Sequence, residues 1–135
     1  MGVRREGREA AIQFLYQRDL GGAASITDLS DFYAFRGLSP AARRFCQSLM
    51  AGLLEKLKPI DEMIVRHLQN YELGRLSAVD RNILRLAIYE LLFCPDIPPA
   101  VVMNEAIDIA KKYGTEESGR FVNGVLDQVK LGDRS

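Results

Sequence analysis

The stretch V-D-R-N-I-L-R-L-A-I-Y-E-L-L-F, residues 79–93, decides the fold. Ile83, Leu84, Leu86, Ala87, Ile88, Leu91, Leu92 and Phe93 project around almost the whole circumference of an α-helix, so no single face of it can be given to water. Such a rod belongs in the middle of a helical protein. Ser77 and Asp80 have the spacing of a capping box, in which the serine oxygen accepts from an orphan amide and the carboxylate reaches back at the positive end of the helix. Pro95 ends the rod. Arg81 and Arg85 share a face at i and i+4 and, with Asp80, mark where it surfaces. The alternative is local pairing with acids of neighbouring helices.

Outward from this rod the apolar stripes become one-sided. Upstream, beyond a polar connection at 70–76, Ile60, Met63, Ile64 and Leu68 form the stripe of one helix. Pro59 separates it from another, which opens at Ser39-Pro40 and runs to about residue 58, with Phe45, Leu49, Leu53 and Leu57 recurring every four residues, seconded by Met50 and Leu54. Residues 29–35, with Phe32, Tyr33 and Phe35, read as a short aromatic helix after a Gly/Ala/Ser/Thr connection. Residues 4–20 form a first helix stopped by Gly21-Gly22.

Downstream, Pro95, Pro98 and Pro99 make a stiff linker. A helix over 100–113 should bury Val102, Ala106, Ile109, Ala110 and Tyr113, with Gly114 as its left-handed stop. Thr115 caps a last helix with the stripe Val122, Val125, Leu126 and Val129, fraying over 132–135. No segment alternates with the two-residue period of a strand. The expected fold is all-α, with about seven helices.

The chain has 135 residues, enough for one domain with a substantial core and no staples. Cys46 and Cys94 lie outside any C-x-x-C pattern, which favours free thiols in a reducing cytoplasm over a disulfide or a zinc site. No segment approaches the roughly 20 apolar residues of a membrane span, and the arginines near the N-terminus have no long apolar run behind them. Eighteen basic and eighteen acidic residues give zero formal net charge. That weighs against whole-surface binding to nucleic acid and confines any such contact to a local site supported by base or partner contacts.

Little points to catalysis. His67 is the sole histidine and has no sequence-local Cys or carboxylate partner. The acid pairs Asp61-Glu62 and Glu116-Glu117 sit at helix starts, where carboxylates stabilise the positive end. Phosphate-cradling glycine loops and the H-E-x-x-H zinc motif are missing from the sequence, and nothing calls for a cofactor or a metal.

Two edges look like binding surface. Arg4, Arg5 and Arg8, with Gln13 and Tyr16, combine guanidinium groups with an amide and an aromatic ring, the mixture used to recognise single-stranded RNA. Arg5, Arg8, Ile12 and Tyr16 run along one side of the helix, so its arginines overhang the core. Cations are unfavourable at a helix N-terminus, although Glu6 and Glu9 soften that conflict. The second edge is T-E-E-S-G-R-F-V-N-G-V-L-D, residues 115–127. Phe121 falls with Glu117, Gly124 and Gln128 on a mostly polar strip, beside Arg120, either as a stacking platform or as cover for the edge of a neighbouring helix. Gly124 also suits a close helix crossing.

The blocks R-R-E-G-R-E-A-A-I-Q-F-L-Y-Q, D-R-N-I-L-R-L-A-I-Y-E-L and N-E-A-I-D-I-A-K-K-Y-G-T-E-E-S-G-R-F-V-N-G-V-L-D, in this order, resemble the NusB family of bacterial transcription antitermination factors. The last, residues 104–127, is the most specific. The resemblance implies a single domain of two packed helical subdomains, roughly 1–58 and 59–135, without catalysis. It implies binding of the boxA element of nascent ribosomal RNA leaders together with NusE, a small-subunit ribosomal protein, so that RNA polymerase reads through terminators. By motif, Arg4, Arg5, Arg8, Gln13 and Tyr16 would form one wall of the RNA site. Glu117, Ser118, Arg120 and Phe121 would form the other, and Asp80 would meet NusE. Some family members self-associate, and a homodimer stays open. The competing readings are a helical protein–protein scaffold and a detached NusB-like module of an RNA methyltransferase.

Overall fold

Hydroxyl side chains write three of the helix starts. The Oγ of Ser39 accepts the amide of Ala42 at 3.2 Å, that of Ser77 the amide of Asp80 at 3.1 Å, and Thr115 Oγ1 the amide of Ser118 at 3.1 Å. Each satisfies a donor that the first turn leaves unpaired. The computed structural model describes residues 2–21, 37–68 and 76–133. Among them it has six helices and no strand: α1 (Val3–Gly21), α2 (Pro40–Glu55), α3 (Leu57–Arg66), α4 (Ala78–Phe93), α5 (Pro99–Tyr113) and α6 (Glu116–Asp133). The class is all-α as expected. The short aromatic helix expected at 29–35 and most of the connection at 70–76 lie outside the described residues.

The chain divides into two compact units, Met1–Glu55 and Lys56–Ser135. In the first, α1 packs on α2 through Gly7. A Cβ there would stand 2.7 Å from Phe45 Cδ2 and 3.1 Å from the Ala42 carbonyl oxygen, so only glycine lets the helices come this close. Ala10, Ala11, Phe14 and Leu15 bury against a stripe of Ala42, Cys46, Leu49, Met50 and Leu53.

In the second unit α4 packs against α3, α5 and α6, which makes it the central rod of that unit. Ile83, Leu84, Leu86, Ala87, Ile88 and Leu91 are buried, joined by Ile60 and Ile64 of α3, Val102, Ala106 and Ile109 of α5, and Val122, Leu126 and Val129 of α6. The rod surfaces at its C-terminal end. Leu92 is half-buried, and Phe93 is 40% exposed, stacked on Tyr89 with its ring under Lys56 Nζ.

Several local expectations are corrected. Pro59 does not break a helix. The break falls at Lys56, and Pro59 lies in the first turn of α3, where a missing N–H costs nothing. Leu57 therefore opens α3 and does not extend the α2 stripe. Gly114 is not left-handed: its φ is −120°, and glycine is required there because a Cβ would meet Ser118 Oγ at 2.6 Å and the Ala110 carbonyl at 2.9 Å. Tyr113 is 41% exposed, with Lys112 Nζ over its ring, and Met103 takes a buried place on α5. The close glycine contact on α6 is at Gly119, against the Lys111 stem, while a Cβ at Gly124 would meet nothing within 4 Å.

Arg85 and Asp61 decide between surface and pairing in favour of pairing. The buried guanidinium grips Asp61 of α3 with two bonds, Nε to Oδ1 at 2.8 Å and Nη2 to Oδ2 at 2.9 Å. Its Nη1 donates to Asn82 Oδ1 at 2.9 Å, and Asn82 Nδ2 donates to the Ala78 carbonyl at 2.9 Å. Asp61 thus does more than stabilise a helix start, since it pins α3 to the rod.

Candidate nucleic-acid interface

The cationic end of α1 belongs to the first unit. Arg4 is exposed, Arg5 and Gln13 are half-buried, and Tyr16 is 38% exposed. Arg8 differs from what the sequence suggested, being only 3% exposed, with its guanidinium carbon 5.3 Å from the centroid of the Phe45 ring. Arg8 lies on the same face as Ala11, Ile12 and Leu15, so it enters the seam between α1 and α2 that Gly7 closes. Arg4, one turn earlier, places its guanidinium carbon 5.4 Å from the same centroid. Phe45, read from its four-residue spacing as a core position, is half-buried beneath these two cations.

The second part lies in the second unit, where the first turns of α4 and α6 border one groove. It has a volume of about 660 Å³ and is lined by Leu76, Ser77, Asp80, Thr115, Glu117, Ser118, Arg120 and Phe121. The sequence had named Glu117, Ser118, Arg120, Phe121 and Asp80 from two stretches, and the structure brings all five to this groove. Ser77, Thr115 and Leu76 were missed as lining residues, since the two hydroxyls had been read only as caps. Two adjacent capped helix starts are what places them here. Arg120 is exposed and Phe121 half-buried, so a guanidinium and an aromatic edge are offered together with hydroxyl groups.

Asp80 lies among the hydroxyl groups of the groove. Burial pushes its carboxyl above the ordinary value, while the hydroxyls of Ser118 and Ser77 pull it down. Its Oδ1 is buried without a hydrogen-bond partner. The capping box is therefore half formed: Ser77 caps the Asp80 amide, and the carboxylate engages hydroxyl groups. Elsewhere, His67 is half-buried at the end of α3, its amide donating to the Ile64 carbonyl at 3.0 Å. Cys46 and Cys94 are free, and burial pushes the Cys46 thiol up to about 12. Among the described residues no three His, Cys, Asp or Glu side chains gather as metal ligands, and no helix is long and apolar enough to cross a membrane.

A cationic helix end in one unit and a groove pairing guanidinium, aromatic and hydroxyl groups in the other define a helical binding module. The chain matches the NusB family over residues 5–130. It is 47% identical over 131 residues to the transcription antitermination protein NusB of Geobacter sulfurreducens, covering 96% of this chain and 94% of that one. Among solved structures it is similar to T. maritima NusB, with TM-score 0.88 and 41% identity, covering 98% of this chain and 93% of that one. It is also similar to a chain from a crystal structure of antitermination factors NusB and NusE in complex with double-stranded RNA, with TM-score 0.86 and 31% identity, covering 96% of each. The chain belongs to the NusB family.

Proposed function

We propose that this chain is a cytoplasmic transcription antitermination factor. It binds boxA-type single-stranded RNA of ribosomal RNA leaders together with NusE, helps RNA polymerase read through terminators, and acts by binding without catalysing a reaction. Its two units act as the helical subdomains of one NusB-like domain. Arg4, Arg5, Gln13 and Tyr16 on α1 and Glu117, Ser118, Arg120 and Phe121 on α6 contact RNA, and Asp80 meets NusE. Arg8, buried on the Phe45 ring, contributes by holding that ring.

The observation that carries the reading is the groove itself, in which Phe121 can stack a base while Arg120 meets a phosphate, with Asp80 and its hydroxyl neighbours lining the same groove. Relatives spanned over nearly their whole length and named as antitermination proteins favour this reading over the methyltransferase module. Titration of a labelled boxA-type RNA, with and without NusE, tests it. Binding should be enhanced by NusE and depend on sequence, and Phe121→Ala should lose roughly 1–3 kcal/mol of stacking. Equal affinity for a scrambled RNA would sink the reading, and NusE binding with no RNA dependence would leave a scaffold.

A further inference from the structure

The geometry points to Phe45 of α2 as a positioning residue for RNA, which holds Arg4 over its ring so that the guanidinium meets a phosphate already oriented. This inference rests on the RNA-binding reading above and adds to it a residue of a second helix.

Three observations converge on it. The ring lies directly against the α1 backbone, since a Cβ on Gly7 would come within 2.7 Å of Phe45 Cδ2. Arg8, buried beside it, holds the ring from within the seam at 5.3 Å, and Arg4, one turn away on the exposed side, lies over it at 5.4 Å. Among the described residues Arg4 engages the Phe45 ring, whereas Arg5 and Arg8 take part in further interactions. A guanidinium over an aromatic face is held through that face, which leaves its in-plane N–H donors for a phosphate. Arg4 would otherwise lose the rotamer freedom of a long side chain when RNA binds, and the ring removes part of that loss beforehand.

A double-mutant cycle on the full chain tests the inference, with NusE present and a fluorescently labelled boxA-type RNA as probe. Phe45→Leu, which keeps an apolar side chain against Gly7, should weaken binding roughly two- to fivefold, the factor expected for an exposed cation–π contact. Phe45→Tyr should restore it. In an Arg4→Ala background Phe45→Leu should cause no further loss, which a merely structural role would not produce. If Phe45→Leu fails to fold, replacing the ring by its perfluorinated analogue removes the attractive face at nearly constant volume and should give the same loss. Wild-type affinity in Phe45→Leu or in the perfluorinated variant, or an equal loss with and without Arg4, overturns the inference while the loss from Arg4→Ala alone keeps the RNA reading standing. Failure of the wild-type chain to bind the RNA removes both.

Discussion

At residue scale, position on the helix and not residue type separates the arginines of α1. Arg4 and Arg8 are identical side chains one turn apart, yet one is exposed and the other 3% exposed. The sequence held this information, because Arg8 shares a stripe with Ile12. Register on the helix, more than charge, decides which of the two reaches solvent. Asp80 offers a sharper test. A carboxyl whose folded pKa is raised holds its proton more tightly in the fold, so its contribution to stability falls as pH rises from the unfolded value of about 3.9 through the folded one. Asp80→Asn keeps an acceptor oxygen and removes the charge. Its stability relative to the parent chain, from denaturant midpoints, should therefore improve between about pH 3 and pH 7. An advantage that shrinks with rising pH would show that the groove stabilises the carboxylate.

At the scale of elements, one charged pair adds to the buried Ile60 and Ile64 in pinning α3 to α4. The side chain of Arg85 is 8% exposed and that of Asp61 23%. Asp61→Ala leaves a buried guanidinium without its counter-charge and should cost about 3 kcal/mol, the lower end for a broken buried pair because Asp61 keeps some solvent. The double variant Asp61→Leu, Arg85→Met should recover most of that, short of about 1 kcal/mol for Asn82 losing its donor. Urea unfolding of the single and double variants reads the difference, and a double variant less stable than Asp61→Ala would refute the account. Helix identities were legible because stripes such as Val122, Val125, Leu126 and Val129 repeat with the helical period. The Ser77 and Thr115 caps were legible because capping is local chemistry. Details that depend on what lies across the interface were not legible. The Gly114 geometry is set by Ser118 around the turn, the place of Pro59 by a break three residues earlier, and the role of Asp61 by an arginine 24 positions away.

At the scale of the whole molecule, zero net charge leaves RNA affinity to particular side chains. Arg4 in one unit and Arg120 in the other are exposed guanidinium groups, and each should neutralise one phosphate. For single-stranded RNA, removing both by Arg4→Ala and Arg120→Ala should flatten the plot of log affinity against log salt by about 1.4. A change near zero would place the phosphate contacts elsewhere. The five groove residues were found from two separated stretches, but their meeting at one groove was not legible, since it depends on the packing of α6 beside α4. That packing has a kinetic consequence. Both walls are first turns of helices, each with an amide already capped, by Ser77 and by Thr115, so the backbone of these two turns is set before a ligand arrives. Encounter then proceeds as docking to a preformed surface, and changes at Phe121 or Arg120 should alter how long the complex lasts more than how fast it forms.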